Sequence, residues 1–252
     1  MFDDQLGAAT LEIKEDVSRE MKMNSQKLEK WKKWIGDLNN SGSITNDLVE
    51  LETARTIIKE IGKMVRANQY LQQPSTFYNV LSVCYAHSVL MYIRRQIRRD
   101  NDSISLIKLL DDLVENCQMI SVDFYIALCA EPHPHPDDVI WNEIYKKTFQ
   151  DQFGGDRQIC LDPEIVKKDI TSLEEINKKS ASFIDRRVAH LDKKEPDMVP
   201  TFDEIESWCD TLIQVFKKYY SLLYAVDFQI TPKLNPEWKS IFTVPWIIAP
   251  SS

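Results

Sequence analysis

Apolar residues in this chain return every three or four positions over long stretches, and that spacing constrains the fold more than any other feature. Ile205, Trp208, Leu212, Val215, Phe216 and Leu222 form one such stripe, behind a Thr201/Glu204 pair spaced as a capping box. Leu51, Ala54, Ile58, Ile61 and Val65 form another, on a helix expected from about Asn46 to Leu71 and ended by Pro74. A third helix is expected from Ser75 to about Arg99. Phe77, Val80, Leu81, Cys84, Tyr85, Val89, Leu90, Met91 and Ile93 make it apolar on nearly every side, which predicts a central position. Further helices are expected from about Ser105 to Leu128 and from Asp137 to Gln152, the latter stopped by Gly154-Gly155. With only 6 Gly in 252 residues, the chain reads as all-α.

The ends of the chain read differently from its middle. Val17, Met21, Asn24, Leu28, Trp31, Ile35 and Leu38 alternate four- and three-residue steps, a heptad seam in which Asn24 can fix register. Such a seam either packs on its own domain or forms an arm that pairs with a second copy of the chain. Asn39-Asn40-Ser41-Gly42-Ser43 then breaks the helix. At the other end, the stretch from Trp238 to Trp246 is aromatic and proline-bearing, and is expected to wrap over the core and bury two indole rings. The expected organisation is an N-terminal helical arm over 1–40, a helical bundle over 41–230 and a tail over 231–252.

Charge and cysteine usage narrow the function classes. A net charge of −8 argues against a general nucleic-acid coat, yet permits a local basic site. Five scattered cysteines, never in a CxxC pair, read as reduced thiols of a cytoplasmic protein. No basic start followed by an apolar run opens the chain, and no apolar run is long enough to suggest a membrane span. Cys129, His133 and His135 have spacings that suit a soft metal, but a tetrahedral site needs further ligands, and the alternating prolines around them read as a rigid surface loop. No metal and no cofactor are expected.

The chemistry-bearing stretch is Ile184-Asp185-Arg186-Arg187-Val188-Ala189-His190-Leu191-Asp192. It ends a helix expected to begin near Ser172, where Ser172 and Glu175 are spaced as a capping box. Ile176, Ser180, Ala181, Ile184, Val188 and Leu191 give that helix a core stripe, while Lys179, Phe183, Arg186 and His190 share another face. One turn apart, Arg186 and His190 could reach one ligand; equally, the face could be a solvated basic patch carrying an incidental His. Arg94, Arg95, Arg98 and Arg99 crowd the end of the third helix. Their forks could grip phosphate or carboxylate, although salt bridges are the safer expectation for at least two of them in so acidic a chain.

Asp185 through Asp192 resembles the signature region of HEPN domains, most closely the branch associated with bacterial abortive infection. Asp102-Ser103-Ile104-Ser105-Leu106-Ile107-Lys108-Leu109-Leu110, the Pro200-Thr201-Phe202 helix start and the aromatic tail are similar to that branch in the same order. The likeness spans roughly residues 45 to 250. It implies an all-α bundle that dimerises, so that the signature segments of both copies meet at a cleft. It also implies a metal-independent endoribonuclease, often a toxin of phage defence with an antitoxin or defence-system partner. His190 would be the proton-transfer group, with Asp185 tuning it and Arg186 contributing charge; Arg187, Lys179, Arg94, Arg95 and Arg98 would contact substrate. The family's signature arginine is missing: the position best aligned with it is Ile184, on the core stripe. A compensating arginine would come from Arg186 or from Arg94, Arg95, Arg98 or Arg99. The tyrosine found two residues after the histidine in some members is here Asp192, so control by its modification is not implied. The competing expectation is a catalytically silent, dimeric binder of RNA or nucleotide, or a scaffold.

Overall fold

The apolar stripe of the last long helix organises the observed architecture. In the computed structural model, described over residues 25–36, 42–73, 75–130, 138–154, 159–189 and 192–244, α8 (Phe202–Tyr224) buries Ile205, Trp208, Cys209, Leu212, Val215, Phe216, Tyr219, Leu222 and Leu223. Each such large side chain taken out of water contributes roughly 1.5–3 kcal/mol, so this face outweighs the modest helix propensity of its aromatic residues. The capping box is formed: Glu204 N–H donates to Thr201 Oγ1 at 3.2 Å, and Thr201 N–H donates back to Glu204 Oε2 at 2.8 Å. The helix ends at Ala225, which takes the left-handed conformation (φ 53°) and donates its N–H to Ser221 O.

Seven further helices surround it among the described residues: α1 (25–35), α2 (Ile44–Ala67), α3 (Thr76–Ile97), α4 (Leu106–Glu115), α5 (Val122–Ala130), α6 (Asp138–Phe149) and α7 (Pro163–Phe183). The protein is all-α over these residues, and none of these helices is long and apolar enough to cross a membrane. Helix α3 is the hub, packing against α2, α4, α7 and α8. Its centrality holds only for its C-terminal half, where Val89, Leu90, Ile93 and Ile97 are buried; Phe77, Val80 and Val83 are exposed. An apolar N-terminal half is therefore not the same as a covered one.

Several boundaries differ from expectation for identifiable reasons. The helix expected to start at Ser172 starts nine residues earlier, with Asp162 as N-cap and Pro163 in the first turn. Ser172 lies mid-helix, its hydroxyl bonded back to Lys168 O. The single helix expected from Ser105 to Leu128 is two, α4 and α5, separated at Asn116 and a short 3₁₀ turn over Cys117–Met119.

Helix α1 packs on the bundle over its described length: Trp31 and Ile35 are fully buried and Leu28 lies against the core. Asp112 of α4 holds it there, accepting from Lys27 at 2.7 Å, Lys30 at 2.8 Å and Trp31 Nε1 at 2.9 Å. Val17, Met21, Asn24 and Leu38 of the heptad seam lie outside the described residues. After α8 the chain turns back through Phe228, whose ring lies 4.4 Å from that of Tyr220, and then runs along α2. Lys233 N–H donates to Thr53 Oγ1 and Lys239 pairs with Glu60. The tail is thus held by polar contacts, with Trp238 only half-buried, rather than by sinking its indole into the core; Trp246 lies outside the described residues.

Candidate functional site

Helix α7 changes character where the sequence turns distinctive. From Ile184 to Ala189 it winds as a π-helical turn, a form found mostly as single turns and often at functional sites. A wider turn shifts the phase of everything after Ile184, so the face sharing expected of Lys179, Phe183, Arg186 and His190 on 3.6-residue spacing does not carry through it. Ile184 itself is 1% exposed, sealed in the core as its stripe position predicted. Its side chain is unavailable to the site.

The turn packs against the C-terminal end of α3, and Asp185 is the contact between them. Arg98 Nη2 donates to Asp185 Oδ2 at 2.7 Å, while Arg94 Nη2 stands 2.8 Å from Oδ1. Oδ1 is shielded from solvent and receives no well-aligned hydrogen bond, so the Arg94 contact is an ion pair with off-line N–H geometry. Arg94 and Arg98 are one helical turn apart and reach the same carboxylate for that reason. Two guanidinium groups on one carboxylate leave a local excess of positive charge.

The other two arginines of the cluster face elsewhere, about 100° further round the helix. Arg95 makes a two-pronged pair with Asp47 of α2, both contacts at 2.8 Å. Arg99 pairs with Asp111 of α4 and with Glu174 of α7; hydrogen bonding to Asp111 raises its pKa above the ordinary guanidinium value. Salt bridging therefore takes all four, more than the two expected, and Arg95, expected at the substrate, is not brought to Asp185.

Arg186 and Arg187 turn to the following loop. Arg186 Nη1 donates to Glu195 O at 2.6 Å and to Asp197 Oδ1 at 3.0 Å. Arg187 pairs with Glu195 at 2.5 Å and donates to Asp192 O at 3.0 Å. Together they fasten the 192–197 loop over the π turn. Lys179 is exposed on α7. His190 lies outside the described residues, as do His133 and His135 of the proline-rich segment. Among the described residues no group of three or more His, Cys, Asp or Glu is placed to hold a metal ion. Cys129 is buried, and burial raises the pKa of its thiol.

A second polar constellation escaped the sequence reading. Arg55 of α2 is buried at 4% exposure and donates to Glu52, to Glu206 and to Asp210, the last at 2.6 Å. Tyr85 hydroxyl and Lys59 complete the shell of Glu206. Burial works against the Glu206 charge, but Lys59, Tyr85 and Arg55 outweigh it and hold the carboxyl down at about 2. The signal was present: Arg55 falls four residues after Leu51 and three before Ile58, a charged residue on an apolar stripe.

No protein-family model, curated protein or solved structure matches this chain.

Proposed function

We propose that the Asp185–His190 segment, with Arg94 and Arg98, forms a HEPN-type site that binds RNA phosphates and cleaves RNA without a metal. What supports the reading is the convergence of Arg94 and Arg98 on Asp185, within the segment whose signature arginine is replaced by buried Ile184. In this reading the two guanidinium groups hold the scissile phosphate and stabilise the charge that builds there, a role fitted to their planar forks. His190 takes the proton from the RNA 2′-hydroxyl, whose oxygen attacks phosphorus; the 5′-oxygen leaves, giving a 2′,3′-cyclic phosphate and a 5′-hydroxyl. Two copies would place two such segments at one cleft. The context would be cytoplasmic phage defence, with an antitoxin or defence-system partner restraining the activity.

The test is cleavage of RNA in EDTA by wild type, His190→Ala, Arg94→Ala, Arg98→Ala and Arg95→Ala. Loss of about 10²-fold or more is expected for His190→Ala, as for removal of a general acid–base group. Arg94→Ala and Arg98→Ala should each fall by about tenfold or more, the scale of a charged hydrogen bond, while Arg95→Ala stays near wild type. Cleavage that survives in His190→Ala, or that stops in EDTA, refutes the reading.

One observation favours a second reading. Asp185 already occupies both guanidinium groups, and Arg186 and Arg187 are spent on their own loop. That arrangement suits a catalytically silent, dimeric RNA or nucleotide binder or scaffold. It predicts no cleavage by wild type and binding weakened in Arg186→Ala and Arg187→Ala.

A further inference from the structure

A cleft of about 670 Å³ opens between α2, the N-terminal half of α3 and the first turn of α8. It falls within the range typical of small-molecule sites. It lies well away from Asp185, since its deepest α3 residue, Tyr85, precedes Arg94 by more than two helical turns.

The floor is Gly62, a buried glycine in the interior of α2, where only proline would be a poorer helix former. A Cβ at this position would come within 3.3 Å of Arg66 Nη1 and 3.8 Å of both Arg66 Nη2 and the Tyr78 hydroxyl. The missing side chain thus lets a guanidinium and a phenol meet over bare backbone. Neither head group has a hydrogen-bond or ion-pair partner among the described residues, although cations elsewhere in the cleft do: Lys63 pairs with Glu60 and Lys59 with Glu206. Both carboxylates are doubly served, because Lys239 also reaches Glu60 and Arg55 also reaches Glu206. Phe202 forms the facing wall, its ring parallel to that of buried Tyr85 (interplanar angle 10°), yet 52% exposed.

We propose that this cleft binds a small aromatic oxyanion, with the phosphate or carboxylate group on Arg66 and the Tyr78 hydroxyl and the ring against Phe202. Arg66 offers donors only, so its complement is an acceptor of negative charge. Asp203 stands at the rim on the first turn of α8 and repels a polyanion, so the ligand carries its charge at one end and is not a nucleic acid.

The experiment is isothermal titration of the full chain with phenyl phosphate, benzoate and inorganic phosphate, on wild type, Arg66→Ala, Tyr78→Phe and Phe202→Leu, each checked for unchanged melting. At least one of the two ring-bearing anions should bind saturably, and inorganic phosphate more weakly by about tenfold or more. The preferred anion identifies the head group as phosphate or carboxylate. Arg66→Ala should weaken it by about tenfold or more and the other two variants by several-fold. Absence of saturable binding by both aromatic anions overturns the proposal, as does binding that Arg66→Ala leaves intact. Equal affinity for inorganic phosphate removes Phe202 from the site and overturns it as stated.

Discussion

Replacing Asp112 by asparagine should unclasp α1 from the bundle, and the size of the effect can be worked out in advance. The Asp112 side chain is 10% exposed and accepts from two ammonium groups and an indole N–H. Burial alone would raise its pKa, but the bonds from Lys27, Lys30 and Trp31 overcome this and hold it at about 2, against an ordinary 3.8. A folded-state pKa below the unfolded one means stability that is present above the unfolded value and lost as pH falls through the folded one. The gap corresponds to roughly 2 kcal/mol, present in full near neutral pH and draining away between about pH 4 and pH 2. Asparagine keeps the shape and one acceptor for Trp31 but has no charge for the lysines. Asp112→Asn should therefore lose about 2 kcal/mol at pH 7, or about 4–8 °C in Tm for a chain of this size. Urea denaturation followed by tryptophan fluorescence at pH 7 and near pH 2 measures both ends. A difference between wild type and variant as large near pH 2 as at pH 7 would refute the electrostatic account. It would point instead to packing around Trp31.

Arg55→Met should cost about 3 kcal/mol in urea denaturation, because it leaves Glu52, Glu206 and Asp210 facing one another without their shared cation. Thr201→Ala should cost about 1 kcal/mol, read as a lowered Tm and faster amide exchange in the first turn of α8, since it breaks both bonds of the capping box. Gly154→Ala should cost about 1–3 kcal/mol by the same denaturation assay: a Cβ there would lie 3.1 Å from Cε1 of Phe149, which Tyr125 and Phe153 leave no room to move.

What could be read from the sequence depended on whether a signal was local. Thr201, Glu204 and the stripe behind them located α8 because cap and periodicity agree there. At Ser172 the same cap spacing misled, since the Asp162-Pro163 start nine residues upstream carries the helix straight through it. The exposure of Phe77, Val80 and Val83 was not legible, because periodicity reports how apolar a helix is and not what lies beside it. At the candidate site, the burial of Ile184 followed from its stripe. The choice of Arg94 and Arg98 over Arg95 and Arg99 did not, because all four share one stretch of sequence and only the rotation of α3 against α7 separates them. The π turn was hidden for a related reason: its residues are ordinary helix formers, and only the hydrogen-bonding pattern distinguishes it.

That turn makes the end of α7 a place where length and direction are decoupled. In a regular helix, adding or removing one residue rotates all that follows by about 100° and disrupts every contact downstream. A π turn already contains the extra residue as a local bulge. Dropping one residue between 184 and 189 would return the segment to α winding and re-aim Asp185, Arg186 and Arg187, while Val166, Ile170, Leu173 and Ile176 kept their places in the core. The bundle and the chemistry of its edge can thus change independently, by indel as well as by substitution.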